Sequence, residues 1–307
     1  MYNVCMKKIS VLVVGALLLS GLLQNPAECG FVANYKARIE QNKVQKSTIN
    51  SIKSVIEQQD VFANKHDLKS LKELYSPEFV NSDGFEREVY FKMIDETWKS
   101  YPDISYKTKI KNIDYTDNYA TVLVEEISVS APVEHIGEFD TIGELYSVAK
   151  GVYHLEKQGK TWKIISEKVI DETSTLKFGE ARYIDIELNV PKQIGSGKSY
   201  TATLKVNAPE DATLVASISQ EKMVYPQVKA EDAFRKISDS VLERVFTANR
   251  NNVNEYAVAS LGITHAKSYD EEHIRIYMSG MAFLMTRVNV IPENKFVNFD
   301  EKDSANE

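Results

Sequence analysis

The sequence predicts an α+β fold: a domain of helices wrapped by a curved antiparallel sheet, followed by a β-sandwich-like domain. Three observations predict it. Apolar residues recur at helical spacing from about residue 48 to residue 100. From Ile104 the apolar period becomes two, the spacing of a half-buried strand. Beyond residue 180, alternating runs recur at short intervals with turn residues between them, as in a small sandwich.

Residues 1–29 read as a secretory leader and are set aside from the fold. Lys7 and Lys8 form its basic start, 9–23 is an apolar run, and Gln24, Asn25 and Pro26 end it. The apolar run is about 15 residues, short of the roughly 20 needed to cross a bilayer. Cys29 leaves two outcomes open: removal with the leader, or lipidation as in a bacterial lipoprotein. Pro26 and Glu28 fit the lipidation pattern poorly. Membrane attachment is expected only if Cys29 is lipidated; otherwise the protein is expected to be secreted or periplasmic. The other cysteine is Cys5, so cleavage after Cys29 leaves 278 residues without cysteine. That excludes disulfides, Cys-rich metal sites and a thiol nucleophile. The full chain carries −7; with Lys7, Lys8 and Glu28 removed, residues 30–307 carry −8. No basic cluster stands against that background, so a nucleic-acid partner is not expected.

Residues 30–47 are a polar extension that can continue the helix after it. In 48–64, Ile49, Ile52, Ile56 and the Gln59, Phe62, Ala63 group form one stripe of an amphipathic helix. Asp67 caps a short helix over 68–75, stopped by Ser76 and Pro77. Phe79 and Val80 are a short strand, and 81–84 a turn. A third helix over 86–100 buries Tyr90, Ile94, Thr97 and Trp98. Strands follow at 104–110 and 119–125, a long loop at 130–144, and strands at 145–156 and 161–170, joined through Gln158 and Gly159. Residues 172–179 read as a linker, 180–296 as the sandwich and 297–307 as a charged tail. Within the sandwich, 232–249 reads either as a helix or as a loop leading into a strand at 242–247. Asn254, Glu255 and Tyr256 resemble the tyrosine corner of immunoglobulin-like domains, without the Cys and Trp hallmarks.

Five pieces, taken in order, carry a resemblance over residues 48–171. They are Asn64-Lys-His-Asp-Leu68, Leu74-Tyr-Ser-Pro-Glu-Phe79, Asp83-Gly84, Tyr119-Ala-Thr-Val122 and Gly159-Lys-Thr-Trp-Lys-Ile164. This stretch resembles a nuclear-transport-factor-2-like domain, the cone shared by SnoaL-like polyketide cyclases and ketosteroid isomerases. The resemblance implies a pocket inside the cone and, in many such domains, a homodimer through the outer sheet face.

It also singles out Asp83, which aligns with the general-base aspartate of ketosteroid isomerases. That chemistry needs a carboxylate base plus two donors for the enolate oxygen, a tyrosine and a protonated aspartic acid. The same alignment puts Gln59 and Gly151 at those two positions, so both donors are missing. The competing role for Asp83 is hydrogen bonding within its own turn before Gly84, and the sequence favours it. The histidines, His66, His135, His154, His265 and His273, are not paired at helical spacing, and no cofactor or metal is expected. There is no nucleophile elbow and no phosphate loop. Glu125 and Glu126, adjacent in a strand, face opposite sides and cannot act as a pair. The ligand-pocket candidates are Gln59, Phe62, Asp83, Trp98 and Tyr153. The expectation is an exported, non-catalytic binding or interaction protein whose cone takes a small apolar ligand or a protein partner. The alternative is a SnoaL-like isomerase, cyclase or hydrolase using Asp83.

Overall fold

In the computed structural model, the structure describes residues 26–136, 139–207, 209–228, 233–237, 240–268 and 274–292. Most of the leader, His273 and the 297–307 tail lie outside them, as does the side chain of Cys29. Residues 1–47 and 48–307 form two separate units. Among the described residues, no helix is long and apolar enough to cross a membrane.

Helix α1 (Pro26–Ala63) runs through the polar extension into the amphipathic stretch. Its stripe at Ile52, Val55, Ile56 and Ala63 is buried. His66 stops it with a positive φ of 52°. Asp67 then accepts from Ser70 N at 3.0 Å and caps α2 (Leu68–Glu73). Helix α3 (Arg87–Ser100) buries Phe91 and Trp98. Between α2 and α3 the chain lies on the sheet: Ser76 N donates to Ile164 O and Ser82 N to Glu167 O, both at 2.8 Å.

Strands β1 (Ser105–Tyr115) and β2 (Tyr119–Ser130) are followed by β3 (Val133–Ile136), β4 (Phe139–Gln158) and β5 (Thr161–Gly179). The predicted loop at 130–144 is instead a hairpin, β3 pairing with the start of β4. The predicted linker at 172–179 is also strand: β5 continues through it and pairs with both β4 and β13. Its Ser and Thr residues look like linker composition, but Thr also suits a strand with a paired neighbour on each side.

The rest of the chain forms β6 (Ile186–Asn189), β7 (Gln193–Gly195), β8 (Ser199–Val206), β9 (Thr213–Lys222), β10 (Arg235–Ile237), β11 (Val241–Thr247), β12 (Glu255–Ser268) and β13 (Ile274–Ile291). The ambiguous segment before residue 249 thus ends in a strand, not a helix. The main sheet runs β1-β2-β4-β5-β13-β12-β9-β10, and a smaller one runs β11-β8-β6. The first sheet therefore spans both predicted domains.

Its two faces carry two cores. Val122, Val124, Tyr153, Leu155 and Ile164 pack against the three helices. Ala259, Leu261, Ala282 and Leu284 pack with Ala202 and Leu204 of the small sheet. On β13, Phe283 and Met285 alternate with Ala282 and Leu284, so the helix-side face continues past β5. The division into two domains joined by a linker is replaced by one shared sheet, because β13 closes onto β5 directly.

Where β5 ends, Gly179 (φ +57°) lies against β13, and a Cβ there would collide with the Ser279 carbonyl. A Gly179→Ala variant combines left-handed strain with that clash, and is expected to lose roughly 1–3 kcal/mol in urea denaturation. A loss below about half a kcal/mol would show that the junction can shift freely.

Candidate functional site

The interior of the cone is built by alternation and by two bulges. On β2, Ala120, Val122 and Val124 face the helices, and the next residue in that series is Glu126. On β4, Tyr153 and Leu155 face the same way. On β5 simple alternation from Trp162 and Ile164 would bring Ser166 inward. Instead Ile164 pairs with Leu155 and Glu167 with Tyr153, so Ile165 is an extra, bulged residue. The bulge turns Glu167 inward, and it is buried. A second shift at Lys150/Gly151 places Glu172 opposite Ala149, on the same face.

These strands and the helices enclose a cavity of about 130 Å³. Gln59, Asp60 and Ala63 line it from α1, Leu71 and Tyr75 from α2 and the segment after it, and Tyr90, Ile94 and Trp98 from α3. The sheet contributes Tyr106, Thr108, Glu126 and Tyr153. Gln59 Nε2 donates to Tyr153 Oη at 2.7 Å, and Tyr153 donates to Glu126 Oε1 at 2.7 Å. Gln59 Oε1 is buried with no partner. Thr108 spends its backbone N–H and its hydroxyl on Asp60, at 2.7 and 2.5 Å. Trp98 donates to Tyr106 Oη at 3.2 Å and stacks on His66 with ring centroids 4.7 Å apart.

The electrostatics follow from burial without compensating cations. Burial raises the Glu126 carboxyl, and its Tyr153 hydrogen bond only partly offsets this. Burial, with the nearby Glu126 charge, pushes Glu167 up to about 8. Its Oε2 has no partner. Burial likewise raises Tyr75, Tyr90 and Tyr153 well above the usual phenol range.

A second, wider groove of about 400 Å³ continues along the same sheet face past Tyr106. Leu145, Glu172, Leu176, Phe283 and Met285 line it from the sheet. Tyr256 Oη donates to Glu172 Oε2 at 2.8 Å, and burial raises the Glu172 carboxyl. This bond links β12 to β5 over 84 residues, so Tyr256 does not form a tyrosine corner.

Of the five pocket candidates, Gln59, Trp98 and Tyr153 line the cavity. Phe62 packs against the surrounding core instead. Asp83 is elsewhere. Its Oδ1 accepts from Arg287 Nη2 at 2.5 Å and from Asn254 Nδ2 at 2.6 Å, and both ion-pair side chains are buried. The turn bonds expected of Asp83 are made by Asn81, whose Oδ1 accepts from Asp83 N and Phe85 N. A carboxylate fixed in a buried ion pair is not a free base, so neither sequence-derived role for Asp83 holds. Asp60, Tyr90 and Glu126 also line the cavity, though none of them is among the five candidates, and Glu167 is buried on the same sheet face. Glu126 was legible as the one acid in the series 120, 122, 124, 126.

Among the described residues, the histidines do not converge. His154 lies 3.3 Å from Thr121 on a strand, and His265 bonds Glu180 and Asp211 at the edge of the second core. Among the described residues, no group of three or more His, Cys, Asp or Glu is placed to hold a metal ion.

Several solved structures are similar to part of this chain. One is a nuclear-transport-factor-2-like protein from Streptomyces avermitilis: TM-score 0.33, 13% identity, covering 40% of this chain and 96% of that one. Another is a hexachlorocyclohexane dehydrochlorinase, LinA type 2: TM-score 0.34, 9% identity, covering 41% and 85%. A third is Bd1075 of Bdellovibrio bacteriovorus: TM-score 0.33, 15% identity, covering 39% of this chain and 40% of that one. The chain thus spans less than half of the Bdellovibrio protein. No protein-family model and no curated protein matches the sequence.

Proposed function

We propose that this chain is an exported binding protein whose cone cavity takes a small molecule. The observation that carries the reading is the cavity itself, a partly open space lined by aromatic rings and a few polar groups. Its volume of about 130 Å³ is close to the roughly 150 Å³ that accommodates a benzene ring in an engineered protein cavity. The buried ion pair of Asp83 with Arg287 supports this reading over the isomerase alternative, which needs Asp83 as a free base. The wider groove, which shares Tyr106 with the cavity, offers room beside it for a ligand's remainder or a partner segment.

Native mass spectrometry of the protein purified from its own host tests this, paired with a thermal-shift screen of small cyclic and branched compounds. Compounds that raise the melting temperature of the wild type are expected to lose that effect in Ala63→Phe, which fills the cavity from α1. The reading is wrong if no compound shifts the wild type, or if Ala63→Phe responds as the wild type does.

A further inference from the structure

We propose that the cavity takes a compact organic ammonium cation, held between aromatic walls and the acceptor pair Glu126 and Gln59. This rests on reading the cavity as a small-molecule site and names its ligand class.

The first ground is the census of the walls. Five aromatic side chains, Tyr75, Tyr90, Trp98, Tyr106 and Tyr153, line the cavity together with two acids, Asp60 and Glu126, and no Lys, Arg or His. Ring faces carry negative electrostatic potential and attract a cation, more so when it is desolvated. An anionic or acceptor-rich ligand would meet rings and carboxylates and no cationic partner.

The second ground is the direction of the hydrogen bonds. Tyr153 has one hydroxyl proton and gives it to Glu126. It must therefore accept from Gln59, which fixes the amide with Nε2 on Tyr153 and leaves Oε1 over. That oxygen is buried without a partner. Glu126 has one donor, Tyr153; Thr108 Oγ1 lies 3.4 Å away, but its single proton goes to Asp60. The free valences are thus acceptors, and they require a donor or a positive charge from the ligand. Among the described residues, neither Asp60 nor Glu126 forms a salt bridge. The fully buried guanidinium of Arg287 is committed to Asp83. Glu167 adds a further acid behind Tyr90, again with no cation of its own.

The third ground is size. A cavity near 130 Å³ holds about five or six heavy atoms, the scale of a methylated ammonium head. The adjoining groove has room for a substituent on that head.

Trp98 lines the cavity, so its fluorescence can report occupancy. The probes are tetramethylammonium, choline, and 3,3-dimethylbutan-1-ol, the uncharged isostere of choline. The cations are expected to change Trp98 emission saturably, at least tenfold more tightly than the isostere. Glu126→Gln keeps the acceptor for Tyr153 and is expected to lower cation affinity tenfold or more while leaving the isostere unaffected. If the isostere binds as tightly as choline, the cation assignment falls and the cavity reading stands. If neither binds while other compounds pass the Ala63→Phe control, the cation assignment again falls alone. If nothing binds at all, both fall. Should Glu126→Gln fail to fold, the comparison of choline with its isostere on the wild type still decides.

Discussion

Asp83→Ala is expected to cost about 3–5 kcal/mol of stability, because it strands the Arg287 charge inside the protein. Arg287 is 1% exposed, and its remaining hydrogen bonds go to the uncharged Asn289 Oδ1 at 2.8 Å and Met223 sulfur at 3.2 Å, with Glu172 as the other nearby acid. Asn254, which also donates to Asp83, loses that acceptor while its own Oδ1 still receives Val290 N. The pair joins the turn before α3 to β13 across 204 residues of chain. Its loss therefore loosens the attachment of the helical layer to the far half of the sheet. Urea denaturation followed by tryptophan fluorescence measures the effect. Asp83→Asn keeps an acceptor of the same shape and is expected to lose less. The double change Asp83→Leu with Arg287→Met removes both charges and is expected to recover much of the loss. A cost below about 1 kcal/mol for Asp83→Ala would mean that water or another acid reaches Arg287 once Asp83 is gone. A general-base role for Asp83 predicts the opposite pattern, little change in stability.

The second large effect concerns pH. Glu167 sits at about 8 in the folded protein against 4.5 when unperturbed. Between those values the folded state keeps a proton that the unfolded chain has released. Stability due to this group is therefore full below 4.5, falls as pH rises, and levels off above 8. The slope is about 1.4 kcal/mol per pH unit for one proton. The charged and titratable groups facing it are Glu126 of β2, Tyr75 and Tyr90 of the helical layer, Tyr153 of β4, Asp83 of the turn and Glu172 of its own strand. Burial shifts Glu126 and Glu172 in the same direction and steepens the fall. Glu167→Gln has no proton to lose, so it is expected to flatten the profile and to gain several kcal/mol over the wild type at pH 8.5, with little difference at pH 4.5. Chemical denaturation at five or six pH values would show this. Parallel profiles for the two proteins would mean that Glu167 is ionised, and so solvated, in the folded state.

Local pattern determined the helices, the capping by Asp67, the hairpin at Gly159 and most strands by itself, since each depends on residues a few positions apart. It also determined that Glu126 shares a face with Val122 and Val124, because alternation within one unbroken strand needs no partner. Three features depended on the tertiary structure. The inward turn of Glu167 depends on one extra residue, Ile165, which simple alternation misassigns to the outside. The role of Asp83 depends on Arg287, whose position beside it follows from β13 returning to β5. The merging of two apparent domains into one sheet depends on that same pairing, which gives Ser- and Thr-rich residues 172–179 a strand on each side. Bulges and closures of this kind are set by which distant strand is available to pair, and that information is not local to any stretch of the chain.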